Sequence, residues 1–353
     1  MINIPKPADI IKDNCLVKHI AGSHAYGTNT LSSDIDYRGI FVAAPAQIRT
    51  PFFPVYEITD CTEEDTKLYE LNNYLKLCLD NNPNIVETLW IDEHDIISTS
   101  EEYKLLRSHR KSFLCSKVAF TYSGYAIAQL KRIKGHKKWI MNPQPCQQPR
   151  PCDFVSLVQS FMEHKLLPRD FKLENFNDGY RLIPYSEVLF GLYKESGHNT
   201  IRPQDGSINS NFDGDRESYN YPLAIVKWNR EEYKIAKEKH EQYWNWKKNR
   251  NEVRAAFENT YGFDGKHAAH LVRLLRTGKE ILETGEVIVK RPDAQELLDI
   301  RNGAWTYDQL LNYANTLDKE IREDLYTKTK LPKHPNIHLA KQISPGHQYM
   351  LHL

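Results

Sequence analysis

The feature that most constrains this chain is the stretch "HIAGSHAYGTNTLSSDIDYRGIFVA" at residues 19–43. The run "CLVKHIAG" has the composition of a short strand that ends at Gly22, and Ser23 follows at the turn. About ten residues later, Asp34 and Asp36 stand one residue apart where a second apolar strand begins. Because alternate residues of a strand point to the same face, the sequence predicts both carboxylates on one face.

Two carboxylates that are close and partly desolvated either raise the pKa of one of them or bind a cation. Mg²⁺ takes one or two carboxylates and completes its shell with water and phosphate oxygens, and Mn²⁺ is the alternative ion. Upstream, Gly22 allows a phosphate to approach the backbone, and the amides of a short helix at "SHAYGTN" attract anions. The Ser23 hydroxyl adds a donor. Each motif alone is common in chains without a site, but their order predicts a nucleoside triphosphate held beside a divalent metal.

The same stretch resembles the signature of polymerase-β-like nucleotidyltransferases. More narrowly, it is similar to the predicted bacterial and phage nucleotidyltransferases linked to RNA-repair gene sets. The shared positions are Gly22, Ser23, Ala25, Tyr26, Gly27, Thr28, Ser33, Asp34, Asp36, Arg38 and Gly39. Later segments such as "NNPNIVETLW" and "RPDAQELLDIRNG" also resemble that family, and residues 141–250 resemble it least. The resemblance implies a two-metal transfer of a nucleoside monophosphate with release of pyrophosphate. Tyr26 and Arg38 are candidate nucleotide-binding residues, and whether Arg38 orders the aspartates or contacts the substrate stays open.

A third metal-binding carboxylate is also implied by the resemblance, on a strand that follows the first two. Asp65, ahead of "TKLYEL", is the candidate, because it could open a strand beside "DIDYRGIF". Its neighbours Glu63 and Glu64 are alternatives, and so is a solvent-exposed Asp65 without a ligand. In the implied mechanism, Asp34 and Asp36 bind both metals, and Asp65 helps an acceptor hydroxyl to lose its proton at one of them.

A helix that begins at Gly265 is expected to carry a polar face. Lys266, His270, Arg273 and Thr277 recur along it at helical spacing, opposite an apolar side of leucines and valine. Charge-assisted hydrogen bonds make such a face suitable for a triphosphate, and the family resemblance covers these residues. A solvated helix face without a ligand is the alternative.

A second polar face, on the helix containing "SGYAIAQLKRIKGHKKW", is formed by Tyr125, Gln129, Arg132 and His136. Gln129 and Arg132 are candidate nucleotide-binding residues, or the face binds an RNA backbone. The segment "EYKIAKEKHEQYWNWKKNRN" interleaves aromatic and basic residues, as surfaces that bind single-stranded nucleic acid do. Ordinary charged helices have the same composition, so RNA binding there stays open.

A zinc site is not favoured by the sequence. Cys146 and Cys152 lie close together in "NPQPCQQPRPCDF", but no second Cys/His pair accompanies them, and a proline-rich loop explains the segment. His267 and His270 are not expected to bind zinc either, because neither an acidic partner nor a third ligand is evident beside them.

The chain of 353 residues is long enough for two lobes, and its net charge of +1 creates no global field that would attract nucleic acid or membranes. The sequence shows neither a signal segment nor a run of about 18 apolar residues, so a cytoplasmic protein is expected, in the host cytoplasm if a phage encodes it. The six cysteines are accordingly expected to be reduced. Nothing in the sequence sets an oligomeric state.

The expected fold class is α+β. A small catalytic lobe at residues 1–100, with a mixed sheet and helices, precedes a larger and mostly helical lobe at 101–353, which has an irregular, partly β region at about 141–225. A helix is predicted from Tyr69 to Asp80 with Leu71, Tyr74, Leu75 and Cys78 on one face. Capping signals predict helices that begin after Asp264 and Thr306, and Gly285 is expected to end the first of them.

The most concrete hypothesis is therefore a Mg²⁺-dependent nucleotidyltransferase that modifies an acceptor hydroxyl, which could be an RNA or tRNA end. An enzyme with the same catalytic core that transfers a nucleotide to a protein or a small molecule is a second hypothesis. A nucleotide- or RNA-binding module without turnover is the third.

Overall fold

The computed structural model describes residues 14–44, 55–60, 65–163 and 166–344. Contacts within the chain group it into two compact units, one formed by residues 1–138 and 252–353 and the other by residues 139–251. The lobe boundary predicted near residue 100 falls inside the first unit, and the assignment of a separate catalytic lobe stays a prediction.

The first unit contains a five-stranded sheet with the order β3-β4-β2-β1-β5. Its strands are β1 (Cys15–Ala21), β2 (Asp36–Phe41), β3 (Glu57–Asp60), β4 (Asp65–Glu70) and β5 (Ile96–Thr99). β2 and β4 run parallel, while the other neighbouring pairs are antiparallel, so the sheet is mixed. The strands "CLVKHIA" and "DTKLYE" form where the sequence predicts them.

Short helices connect this sheet to the rest of the unit. α1 (Gly22–Tyr26) follows β1 directly, α2 (Leu71–Leu79) follows β4, and α3 (Pro83–Val86) and α4 (Glu101–Ser108) come next. The four residues predicted for the inner face of α2 are its buried residues. The Glu70 carboxylate caps α2 by accepting the backbone N–H groups of Asn72 and Asn73. Burial of each large apolar side chain contributes about 1.5–3 kcal/mol, so this face fixes the helix on the sheet.

Longer helices complete the first unit. They are α5 (Val118–Met141), α7 (Glu252–Tyr261), α8 (Gly265–Thr284), α9 (Ala294–Arg301) and α10 (Tyr307–Lys319). The last residues of α5 belong to the second unit. A π-helical segment (Glu320–Leu325), α11 (Tyr326–Lys328) and α12 (Ile337–Ile343) follow α10. Asp264 caps α8, Gly285 ends it with φ 70°, and Thr306 and Gln309 form a capping box, all as predicted. The expected α+β class, with a mixed sheet followed by a mostly helical part, is confirmed.

The second unit has its own four-stranded antiparallel sheet with the order β6-β9-β8-β7. Its strands are β6 (Val155–Ser160), β7 (Asp178–Pro184), β8 (Leu189–Asn199) and β9 (Ala224–Trp228), and α6 (Arg230–Lys248) follows them. This sheet is more regular than the sequence suggests, because proline, glycine and asparagine in the intervening loops mask the strand pattern. Within the described residues, helices long and apolar enough to cross a bilayer are absent.

Candidate active site

The turn after β1 brings the chain backbone against Asp36. Gly22 has φ 62°, in the left-handed region that favours glycine, and a Cβ added to it would lie 2.1 Å from Asp36 Oδ2. Ala21 and Asp36 are partners in the antiparallel register of β1 and β2. The Gly-Ser turn and the second aspartate therefore form one local structure, as the sequence predicts.

The acidic residues sit at the start of two parallel strands. Asp36 begins β2, Asp65 begins β4, and the two are register partners. Burial raises the pKa of Asp36, and the negative charges of Asp65 and Asp34 raise it further, whereas Arg38 and Lys266 lower it. Asp65 thus occupies the place expected of the third carboxylate, and its proposed alternatives Glu63 and Glu64 lie outside the described residues.

Asp34 lies two residues before β2 and is exposed. Its negative charge is among those that raise the pKa of Asp36, and a shared face with Asp36 stays a prediction. Among the residues that the structure describes, Asp34, Asp36 and Asp65 are not one of the groups whose ligand atoms all lie within 4.8 Å of one another. The three carboxylates are electrostatic neighbours rather than a tight cluster.

A cavity of about 420 Å³ opens beside this turn. β1–α1, β2, α3, α5, α8 and α9 all contribute to its walls. It is lined by all nine residues predicted to bind nucleotide, namely Gly22, Ser23, Tyr26, Arg38, Gln129, Arg132, Lys266, His270 and Arg273, together with the carboxylate of Asp36. Parts of the two polar helix faces predicted from separate segments of the sequence therefore meet in one space.

One wall of the cavity is organised by Glu87, which the sequence analysis did not select. Glu87 is 5% exposed, and its carboxylate accepts hydrogen bonds from Tyr26 Oη at 2.6 Å, Arg38 Nη1 at 3.0 Å and Arg273 Nη1 at 3.2 Å. The Arg273 guanidinium also lies 3.7 Å from the centre of the Tyr26 ring. The sequence does contain a signal for this role: Glu87 lies inside the apolar run "IVETLW", and a carboxylate buried in such a run needs cationic partners.

The face predicted on α8 is only partly a solvated polar face. Lys266 is exposed, but Arg273 and Thr277 are buried, and Thr277 Oγ1 accepts from Arg291. Burial, with the nearby positive charge of Arg273, lowers the pKa of His270 to about 3. His270 is consequently neutral at pH 7 and can offer a phosphate a hydrogen bond, and nucleotide binding by this face stays a prediction.

The face predicted on α5 divides between two environments. Gln129 and Arg132 line the cavity, and Gln129 is buried with its Oε1 lacking a hydrogen-bond partner in the described part of the chain. Tyr125 Oη instead accepts from Asn82. His136 lies one turn beyond Arg132, where its Nδ1 is 2.9 Å from Glu258 Oε1. His136 therefore belongs to a different cluster from the cavity residues.

The aromatic and basic residues of α6 and of the segment just after it interact with each other. Lys247 Nζ lies 4.7 Å from the Trp244 ring centre, and the Arg250 guanidinium lies 4.6 Å from that of Trp246. These contacts stabilise the helix without a ligand, and RNA binding by this segment stays a prediction. In the proline-rich loop, Cys152 is buried and Cys146 is exposed, and both are free thiols.

The geometry of the turn, the aspartates and the cavity can now be compared with known proteins. Residues 11–141 match the RlaP family. That family is described as the RNA repair pathway DNA polymerase beta family, so the resemblance inferred from the sequence is confirmed. The chain is also similar to an uncharacterised 38.9 kDa protein of Enterobacteria phage T4 from the nrdC-mobD intergenic region. The two sequences are 22% identical over 309 residues, and this match covers 82% of each protein. No solved structure matches the chain.

The RlaP match begins before β1 and ends at the last residue of α5. It includes the Gly-Ser turn, all three aspartates, Glu87 and the α5 residues of the cavity. A nucleotidyltransferase-type function linked to RNA repair fits this family. α8, which supplies Lys266 and His270, lies outside the matched residues.

Proposed function

We propose that this protein is a Mg²⁺-dependent nucleotidyltransferase that transfers a nucleoside monophosphate from a nucleoside triphosphate to an acceptor hydroxyl and releases pyrophosphate. The observation that carries the proposal is the single cavity in which the Gly22–Ser23 turn, Asp36 and basic residues of α5 and α8 meet. These are the parts that a triphosphate and its metal require, and they come from separate segments of the chain.

The acidic edge of the cavity fits a divalent cation. Burial and the charges of Asp65 and Asp34 all raise the pKa of Asp36, and a bound cation would relieve that repulsion. Asp34, Asp36 and Asp65 would hold Mg²⁺, and Gly22 keeps the space beside the Asp36 carboxylate free of a side chain. When bound, Mg²⁺ or Mn²⁺ lowers the pKa of the attacking hydroxyl and stabilises the charge of the leaving pyrophosphate.

The remaining residues of the cavity bind and orient the triphosphate. The Ser23 hydroxyl and the α1 backbone lie next to the Gly22 turn, where a phosphate can approach closely. Lys266 and Arg132 supply positive charge, and neutral His270 supplies a hydrogen bond. Glu87 neutralises Arg38 and Arg273, so these arginines position Tyr26 and the cavity wall rather than add two full charges to the site.

The acceptor that we propose is an RNA hydroxyl, such as a tRNA or other RNA end. This part of the proposal is supported by the family description and by the basic character of α5. A nucleotide transfer to a protein would use the same cavity, and the experiment below separates the two.

The test is incubation of the protein with Mg²⁺, nucleoside triphosphates labelled at the α-phosphate, and pooled RNA. The wild type is compared with the double variant Asp34→Asn/Asp36→Asn and with Asp308→Asn, an exposed aspartate on α10 outside the cavity. We expect label in RNA with the wild type and the Asp308 variant, and loss by at least about 10³-fold in the double variant.

Equal incorporation by all three proteins would contradict the assignment of the metal site. Label on protein with RNA unmodified would replace the RNA acceptor with a protein acceptor. Tight triphosphate binding without release of pyrophosphate, measured by calorimetry and a pyrophosphate-release assay, would show a binding module instead of an enzyme.

A further inference from the structure

A second group of potential metal ligands lies where α5, α7 and α8 meet, in the first unit. It consists of His136 on α5, Glu258 on α7, Asp264 at the N-terminal cap of α8, and His267 in the first turn of α8. We call these four residues the His–carboxylate cluster. The sequence did not favour zinc at His267 and His270. In the structure Asp264 lies beside His267, and the fold brings His136 and Glu258 close to Asp264.

The distances within the cluster are short. One ligand atom from each of His136, Glu258 and Asp264 lies within 4.8 Å of the others, and His136 Nδ1 is 2.9 Å from Glu258 Oε1. His267 Nε2 is 3.9 Å from Asp264 Oδ2. The two imidazole centres are 6.0 Å apart, against about 5 Å for two histidines on one tetrahedral ion, so His267 is a fourth candidate ligand that must move towards His136 to share the ion.

Burial distinguishes this cluster from an ordinary surface group. Glu258 and Asp264 are 2% and 3% exposed, and the two histidine side chains are about one-fifth exposed. Asp264 Oδ1 accepts the backbone N–H of His267, which fixes the carboxylate and directs Oδ2 towards the His267 ring. A second partner for a ligand carboxylate is the arrangement that orients protein metal sites.

We propose that the His–carboxylate cluster binds one divalent transition-metal ion of the Zn²⁺ type. Two imidazoles and two carboxylates suit Zn²⁺, which takes nitrogen and oxygen ligands at about 2.0–2.2 Å, better than Mg²⁺, which prefers oxygen and retains several waters. This site is separate from the Asp34–Asp36–Asp65 site and does not depend on the proposed function. The other three-ligand group of the described residues, Cys152, Asp153 and Glu174, carries no such proposal, because both of its carboxylate residues are exposed.

An ion here would connect three helices close to the cavity. His267 lines the cavity, and Lys266, a proposed phosphate-binding residue, is its neighbour in the first turn of α8. Metal binding to residues on α5, α7 and α8 would hold that first turn in place. The expected role is structural: the ion fixes the end of α8 from which Lys266 reaches the cavity.

The test is metal content and thermal stability of the full chain after dialysis against a chelator and reconstitution with Zn²⁺ alone. We expect about one Zn²⁺ per chain by mass spectrometry and a rise in the melting temperature. The variants His136→Gln and Glu258→Gln should each weaken Zn²⁺ binding by more than about 100-fold, because losing a ligand costs more than losing an outer hydrogen bond. Reconstitution with Co²⁺ should give visible absorption bands without a thiolate charge-transfer band, which distinguishes the cluster from the cysteines.

His198→Gln is the matched control, since His198 Nδ1 also lies near a glutamate, at 3.4 Å from Glu195, but belongs to no group of three potential ligands in the described part of the chain. It should leave Zn²⁺ binding unchanged. Circular dichroism of each variant without metal shows whether it folds, and a misfolded Gln variant is replaced by His267→Asn. Failure of the reconstituted wild type to retain Zn²⁺, or equal retention by the wild type and by folded cluster variants, would overturn the proposal. Both results are independent of nucleotidyl transfer.

Discussion

Replacing Glu87 with glutamine tests whether one buried carboxylate organises the cavity wall. The side chain keeps its shape but loses its charge, while Arg38 and Arg273 lose their anionic partner. The Arg273 side chain is 5% exposed, so water cannot replace Glu87 there, whereas Arg38 at 21% is partly screened. Removing one partner of a buried ion pair costs about 3–5 kcal/mol, and the screening of Arg38 favours the lower end of that range.

The measurement is urea unfolding followed by circular dichroism, together with calorimetric titration of Mg-ATP. We expect the free energy of unfolding of Glu87→Gln to fall by about 3 kcal/mol. Nucleotide affinity should fall at least about tenfold, equivalent to 1.4 kcal/mol, because Tyr26 and Arg38 line the cavity and Glu87 orients both.

Glu280→Gln is the matched control for this change. Glu280 is also on the first unit's core helix α8, and it pairs with the buried Arg291 at 2.5 Å, but it does not line the cavity. It should lower stability by about 1–3 kcal/mol and leave nucleotide affinity unchanged. The reasoning is refuted if Glu87→Gln loses less than 1 kcal/mol of stability and binds nucleotide as the wild type does, or if both variants lose affinity equally.

Three further predictions concern the turn, the third carboxylate and pH. Gly22→Ala should abolish transfer and destabilise the fold by about 1–2 kcal/mol, because the added Cβ meets Asp36 and φ is positive. Gly27→Ala is the control: φ is 72°, but the atom nearest to an added Cβ is 3.8 Å away, so only the backbone cost of about 1 kcal/mol is expected. Enzyme assays and urea unfolding compare the two variants. Asp65→Asn should reduce transfer by at least about 10²-fold. It should also lower the pKa of Asp36, because it removes a repelling charge, and a pH titration of metal binding would detect this shift. Unchanged transfer would reject Asp65 as the third carboxylate. Burial lowers the pKa of His19 to about 4, so the unfolded chain binds this proton before the folded chain does as the pH falls below 6.5. The free energy of unfolding should therefore drop by about 1.4 kcal/mol per pH unit between pH 6.5 and pH 4. Urea unfolding at a series of pH values should show a weaker dependence of stability on pH for His19→Gln, and an equal dependence would contradict this.

Much of the fold could be predicted because its signals are local. The inner face of α2, the cap at Asp264 and the stop at Gly285 each depend on residues within a few positions of one another. The Gly22 turn and the presence of β2 were similarly predictable, since strand and turn patterns act over short stretches. The first residue of β2 was predicted two positions too early, at Asp34, because it depends on hydrogen bonds to neighbouring strands, which the sequence does not display.

What the sequence determined by itself was the set of chemical groups: the turn, the paired carboxylates and two basic helices. The tertiary structure alone decided which of those groups share a space and in what charge state. It buried Arg273 against Glu87, left His270 neutral, and placed His136 beside Glu258, 122 residues away. The physical reason is that burial and electrostatic pairing depend on contacts between distant segments, and only the packed chain brings those segments together.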